Sequence, residues 1–366
     1  MDQKKRFDEV LSFLVEYYGD LLDLASESTR FFLSLDDKQF GIVQNGQLGL
    51  LGQQVPHRVM GILEAGQEVA QFTDTFDPIP LTDLVQHKEF YRRMSDKKRQ
   101  EVYNFLKVLV RHIRGIDHVL DIATGVGHLS NYLAYTLPSN IFVTGVDINP
   151  AYIKAAERKA GEFHLRTRFV GRDALQCIDD LLIGRHNGVI SLHGCGYLSQ
   201  RVMGVGGELV AASPCCYHGL DPQDYFMSQH ALQRIQGTGL PINHNLAEIS
   251  ILGPGTLGRS AREGKNRKLR KELEDSGVGE TDTVLLVQAG YTNEAVRTAD
   301  IEKLTRVIEG LRIRYSSFKK LFTQPVEALF SLDKAVFLNE SGYQSHVYGY
   351  MPYSISPRNH LIVGRK

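Results

Sequence analysis

Two of the four cysteines in this 366-residue chain stand side by side, in the run Ser213-Pro214-Cys215-Cys216-Tyr217-His218. A second reactive pair, His193 and Cys195, lies just upstream in "SLHGCGYLS". Thiols and imidazoles so spaced support three kinds of chemistry. His193, Cys195, Cys215 or Cys216, and His218 are the donor types of a four-coordinate zinc site. A thiolate is a nucleophile for covalent catalysis. Or the cysteines are small buried residues lining a pocket. In that case His193, Tyr217 and His218 supply the polar chemistry: a ring to stack on an acceptor and an imidazole to take a proton. Successive side chains diverge after a strand, and no Cys-x-x-Cys pair is present, so the pattern argues against a metal. The expectation is a metal-free pocket wall, with His218, Tyr217, His193 and Cys215 as the candidate catalytic residues.

Whether these residues meet depends on the elements that carry them. After Gly115 short apolar runs alternate with helical patterns. The runs are "HVLDI" (118–122), "IFVTGVD" (141–147), "RTRFV" (166–170), "GVISLH" (188–193) and "GELVAAS" (207–213). Continuous apolar strands separated by helices predict a parallel sheet buried on both faces. Two more strands are expected within 346–365, around a Ser-Pro-Arg-Asn turn containing Arg358. A helix is expected from Ser95, with Val102, Phe105, Leu106, Leu109, Val110 and Ile113 on one face. Its first turns carry Lys97, Lys98 and Glu101. Residues 1 to about 35 read as amphipathic helix, with Phe7, Val10, Leu11, Leu14 and Val15 on one face. Residues 76–82, "FDPIPLT", read as a proline-punctuated loop, and helical patterns recur near 299–322 and 324–341.

The first strand runs into "DIATGVGHLSNYLA". Asp121 ends it, Gly125 and Gly127 make a turn, and a helix follows whose N-terminus presents free N–H groups. Asp147 ends the second strand, placed to take both hydroxyls of a ribose. A dinucleotide site wants a third glycine where Ser130 stands. Asp-x-x-x-Gly-x-Gly instead suits S-adenosylmethionine. Asp173 follows the third strand, placed to accept from an adenine amino group, and a Gly-Gly turn precedes the fifth. The expected cofactor contacts are Asp121, Ala123, Gly125, Gly127, Asp147, Ile148, Asp173, Ala174, His193 and Lys98.

The segments "RMSDKKRQEV", "VLDIATGVGHLS", "SLHGCGYLS", "SPCCYH" and "SPRNHLIVGRK" resemble the methyltransferase-like protein 25 group. That group is related to the rRNA adenine dimethylase domain-containing proteins. The resemblance covers roughly residues 90–220 and the last 50. In this chain Asp96 replaces a proline of the pattern and Gln100 a histidine, Ala123 stands where glycine is common, and Tyr197 where an acid is common. The Tyr197 departure is expected to remove a polar group from the pocket rim. The resemblance implies an α/β, Rossmann-like class I methyltransferase with a seven-stranded, mostly parallel sheet and a helical N-terminal domain. Residues 1–92 are expected to form a helical cap on the substrate side. Residues 93–366 are expected to form the methyltransferase domain, with an insertion at about 220–340 between strands five and six. RNA cytosine-C5 methyltransferases also carry a cysteine after strand four and another after strand five. They have Asp-Ala-Pro-Cys where Leu192, His193, Gly194 and Cys195 stand here.

Lysine plus arginine equals aspartate plus glutamate, 42 of each, so no global field points to nucleic acid or membrane. The segment "RSAREGKNRKLRK" (259–271) is a local exception, with seven basic residues against one glutamate. It is a candidate RNA contact, and tRNA or rRNA is the favoured acceptor. Protein or small-molecule acceptors, and cofactor binding without chemistry, are the rival readings. No apolar run approaches the roughly 18 residues of a membrane helix, and the few cysteines suit a reducing compartment, so a cytoplasmic protein away from membranes is expected.

Overall fold

The computed structural model describes residues 2–23, 26–35, 55–74, 94–137, 140–182, 187–250, 277–289, 291–352 and 358–366, with Gln39, Phe90, Leu273, Ile355 and Ser356. The expected loop at 76–82 and the basic segment at 259–271 lie outside these residues.

Seven strands form one sheet: β1 His118–Ile122, β2 Phe142–Asp147, β3 Thr167–Gly171, β4 Asn187–Cys195, β5 Leu209–Cys215, β6 Gln344–Gly349 and β7 His360–Arg365. Their order is β3-β2-β1-β4-β5-β7-β6. The first five are parallel, and β7 runs antiparallel between β5 and β6. The Rossmann-like α/β fold and mostly parallel sheet expected from the sequence are what the chain adopts. The strand order reverses between β1 and β4, where such sheets open a crevice at their carboxyl ends.

Period-two alternation sends successive strand side chains to opposite faces, and each face has its own core. Leu120, Ile122, Val146, Val189, Val210, Ala212 and Ile362 pack on one side. Val119, Val143, Ile190, Leu209, Ala211, Leu361 and Val363 pack on the other, with the helix Asp96–Leu109. That helix starts where the sequence places it: Ser95 is its N-cap and accepts from the Lys98 N–H.

The first face is covered by the helix Thr323–Glu340, which is buried nearly all round. A helix apolar on every side needs neighbours on every side. The sheet supplies one neighbour and the N-terminal helix Gln3–Leu22 another, through Phe13 and Tyr18 against Phe322, with ring centroids 5.9 and 6.1 Å apart. Phe7, Val10, Leu11 and Leu14 face this core as expected, but Val15 is 42% exposed. At 100° per residue it falls at the margin of the stripe. The segment after β5 is tied to the same helix by Asp333, which accepts from the N–H groups of Met227 and Ser228 and from Ser228 Oγ.

Candidate active site

The turn after β1 is built on left-handed backbone. Ala123, Gly125 and Gly127 have φ of 59°, 57° and 72°. A Cβ on Gly127 would lie 2.6 Å from the Ala156 Cβ, so glycine is required for the next helix, Pro150–Glu162, to pack close. Ala123 adopts a conformation that favours glycine, at a cost of about 1 kcal/mol. The helix His128–Thr136 begins at Gly127 without a side-chain cap, so its first N–H groups are not claimed by a cap residue.

Asp121 is buried beneath this turn. Its Oδ2 accepts from Thr124 Oγ1 at 2.8 Å and Ser130 Oγ at 2.6 Å. Its Oδ1 is buried with no partner. Burial, only partly offset by the Ser130 and Thr124 hydrogen bonds, pushes the carboxyl up to about 6. At the end of β2, Asp147 Oδ2 accepts from the Gly125 N–H and Oδ1 from the Asn149 N–H, both at 2.9 Å. Ile148 beside it is 70% exposed, an apolar face at the crevice. Asp173 caps the short helix Ala174–Cys177 through the Leu175 N–H at 3.0 Å, and Ala174 is buried.

Glu101, in the helix before β1, is buried and sits between Lys98 and His193. Its Oε1 lies 3.1 Å from His193 Nε2 and its Oε2 2.9 Å from Lys98 Nζ. Burial acts to raise its carboxyl, but His193 and Lys98 outweigh it and hold the group at about 2. His193 itself has φ 71°, at a register shift between Leu192 and Cys195 in the β4–β5 pairing. Bulges of this kind re-aim side chains at sheet edges. His128, the first residue of its helix, is pushed down to about 4 by burial and by Lys159 and Lys98.

The cysteine segment departs from expectation in two ways. Tyr217 is not at a pocket rim: it is 3% exposed and its ring stacks on Phe330, centroids 4.4 Å apart. The hydroxyl is driven well above its ordinary range, first by burial. As a platform for an acceptor or a catalytic group Tyr217 is corrected to a core residue, because the turn after β5 swings it inward onto the Thr323–Glu340 helix. The cysteines, in turn, do not diverge. Cys195 and Cys215 face each other across β4 and β5 with Sγ atoms 3.1 Å apart. Cys216 adopts left-handed backbone, φ 57° and ψ 47°, which turns its thiol back toward the pair. Hydrogen bonding from Cys215, against the penalty of burial, lowers the Cys195 thiol to about 6. The Cys215 thiol is pushed the other way, by Cys195 and by burial.

His218 is half-buried, and its Nδ1 has no hydrogen-bond partner. Arg358, from the turn before β7, acts electrostatically on all three thiols. Tyr197 does not strip the rim of polar groups as expected. Its hydroxyl donates to Asp224 Oδ2 at 2.7 Å and to Asp221 Oδ2 at 3.3 Å, so acids from the next loop stand beside it.

The structure therefore gathers Asp121, Gly125 and Asp147 at one end of the crevice, Lys98, Glu101 and His193 over β4, and Cys195, Cys215 and Cys216 at the β4–β5 edge. The Glu101–His193 pair was not read from the sequence, and the convergence of the thiols was weighed there but disfavoured because adjacent side chains diverge. A signal for the first existed: Glu101 precedes Val102 on a helix whose next turns are apolar, so it lies at the margin of the buried face.

Residues 97–223 match a family model described as "Methyltransferase domain". These residues form a methyltransferase domain. S-adenosylmethionine is the cofactor such a domain uses. The crevice fits it on two observations: the buried Oδ1 of Asp121 lacks a donor, and Gly125 leaves open space where a side chain would stand. Among curated proteins the chain is 30% identical over 166 residues to the Glutathione S-transferase C-terminal domain-containing protein homolog of Drosophila pseudoobscura pseudoobscura, covering 43% of this chain and 27% of that protein. It is 21% identical over 271 residues to the mouse Glutathione S-transferase C-terminal domain-containing protein, covering 73% and 33%. The chain thus spans about a quarter to a third of the length of these relatives. Similar solved structures include a putative caffeoyl-CoA O-methyltransferase from Staphylococcus aureus, with TM-score 0.32, 12% identity and coverage of 90% and 100%. Another is the magnesium protoporphyrin IX methyltransferase from Synechocystis PCC 6803 with bound SAH, with TM-score 0.26, 19% identity and coverage of 40% and 71%. Among the described residues no helix is long and apolar enough to cross a membrane.

Proposed function

We propose that this chain transfers a methyl group from S-adenosylmethionine to RNA. The observation that carries the transfer is the arrangement at the sheet's carboxyl edge. A buried carboxyl with one unclaimed oxygen, Asp121, lies under a glycine turn, with Asp147 on the next strand and reactive side chains following β4 and β5. The bound cofactor supplies a methyl on a sulfonium, electrophilic because a neutral thioether departs. Asp121, through its unpaired Oδ1, would hold the cofactor's amino group, and Asp147, which keeps acceptor capacity beyond its two N–H contacts, would hold the ribose hydroxyls. Ile148 offers its exposed side chain to the adenine, beside Asp173 and Ala174. Glu101 pairs with Lys98 and holds the His193 ring at the mouth. His218, half-buried just past β5, is the base that would accept the proton from the attacking atom of the acceptor. Most of the rate comes from positioning and exclusion of water, with proton transfer adding to it.

RNA as the acceptor is supported by sequence alone: the basic run at 259–271, and the resemblance to the methyltransferase-like protein 25 and rRNA adenine dimethylase domain-containing proteins. Filter binding of total RNA over a salt series tests it. Replacing Arg262, Lys265, Arg267, Lys268, Arg270 and Lys271 with glutamine is expected to weaken binding and flatten its salt dependence. Unchanged binding and slope would remove this segment as the contact, and no RNA binding at low salt would remove RNA as the acceptor.

A further inference from the structure

The thiols of Cys195, Cys215 and Cys216 form a cluster at the β4–β5 edge. Their three Sγ atoms lie within 4.8 Å of one another, the closest pair at 3.1 Å. A tetrahedral zinc with bonds of about 2.3 Å holds its sulfurs roughly 3.8 Å apart. That value falls inside the observed spread, so small side-chain rotations bring the three to one ion.

Two irregularities of the backbone make this convergence. The shift in register between Leu192 and Cys195 brings Cys195 opposite Cys215 across the parallel ladder. The left-handed turn at Cys216 reverses the divergence of adjacent side chains. Non-glycine residues held in this conformation carry strain of order 1–3 kcal/mol and concentrate at functional sites. Both His193 and Cys216 are such residues, one on each strand end.

We propose that Cys195, Cys215 and Cys216 are the protein ligands of a zinc ion whose fourth position is open. Three thiolates are a soft donor set that selects zinc over magnesium or calcium. Zinc with three thiolates carries one net negative charge, and the Arg358 guanidinium, which already acts on each thiol, is the counter-charge. Among the described residues no histidine or carboxylate joins the cluster. Three protein ligands with one vacant position is the pattern of zinc sites that bind a further ligand rather than of closed structural ones. Cys195 is exposed, so the ion has a way in.

The test uses the full chain, purified reduced and without chelator, then stripped and titrated with zinc and with cobalt(II). About one zinc per chain is expected, with a cobalt–thiolate charge-transfer band that zinc displaces. Zinc is expected to slow the reaction of the accessible thiols, Cys195 and Cys216, with a disulfide reagent under denaturant-free conditions, a reading that needs no variant. Cys195→Ser, Cys215→Ser and Cys216→Ser should each abolish the band, and Cys177→Ser, in a buried cysteine outside the cluster, should keep it. Binding of S-adenosylhomocysteine reports that each variant is folded. Absence of a thiolate band on cobalt titration, an unchanged thiol reaction rate with zinc, or full metal retention in folded Cys195→Ser protein would each overturn the proposal.

Discussion

Glu101 Oε1 lies 3.1 Å from His193 Nε2, which joins the helix preceding β1 to the irregular end of β4 across the mouth of the crevice. The contact crosses two elements that are far apart in sequence, and Lys98 completes it from the helix side. It fixes the ring of His193 at the point where β4 delivers its side chains to the edge.

This pair sets an acid-sensitive window. Glu101 sits at about 2 in the folded protein against an ordinary 4.5. A depressed carboxylate adds stability that is full above the unfolded value and is lost as pH falls from about 4.5 toward 2. Asp121, raised from 3.8 to about 6, acts oppositely: in cofactor-free protein its cost to folding is relieved as pH falls through 6 toward 3.8. Thermal melts are therefore expected to hold or rise slightly down to about pH 4.5, then fall steeply. Glu101→Gln should lower the midpoint at pH 7 and flatten the fall below pH 4.5. An unaltered acid limb in the variant would contradict the assignment.

Asp147 is expected to govern affinity for the cofactor. Asp147→Ala removes the proposed ribose acceptor and the brace on the Gly125 N–H, and should weaken S-adenosylhomocysteine by about 1–3 kcal/mol, or roughly 5- to 150-fold. Calorimetry reads this directly, and equal affinity in a folded variant would move the ribose elsewhere.

Tyr217 should matter to stability and not to turnover. Its ring fills the space between β5 and the Thr323–Glu340 helix, so Tyr217→Ala is expected to cost about 3–5 kcal/mol by denaturant melt, and Tyr217→Phe only about 1 kcal/mol. A melt of Tyr217→Ala matching the parent would show that the ring is not packed there.

His218 is the opposite case. His218→Ala should lower methyl transfer by roughly 10²–10⁴-fold while cofactor affinity stays within a factor of two or so, because no adenosine contact is assigned to it. Full turnover in this variant, beside a dead Cys215→Ala enzyme, would favour a thiolate nucleophile.

Much of this architecture is legible in the chain because local pattern and tertiary demand agree. "HVLDI" and its successors are apolar throughout, as strands covered on both faces must be, and Asp121, Gly125, Gly127 and Asp147 stand where the fold opens its crevice. The cysteine segment resisted reading because its outcome depends on one backbone conformation. The left-handed turn at Cys216 decides which way three side chains point, and no propensity marks it. Tyr217 was misjudged for the same reason, since its destination is set by Phe330, more than a hundred residues later. Glu101 shows in the sequence only as a first-turn carboxylate, because its partner His193 comes from β4.

Transfer of label from tritiated S-adenosylmethionine into fractionated RNA, protein and small molecules tests the central claim most directly. Label is expected in RNA, with the signal lost in Asp147→Ala and strongly reduced in His218→Ala. Label confined to protein or small molecules would contradict the RNA acceptor, and label in no fraction from a chain that binds S-adenosylhomocysteine would contradict methyl transfer itself.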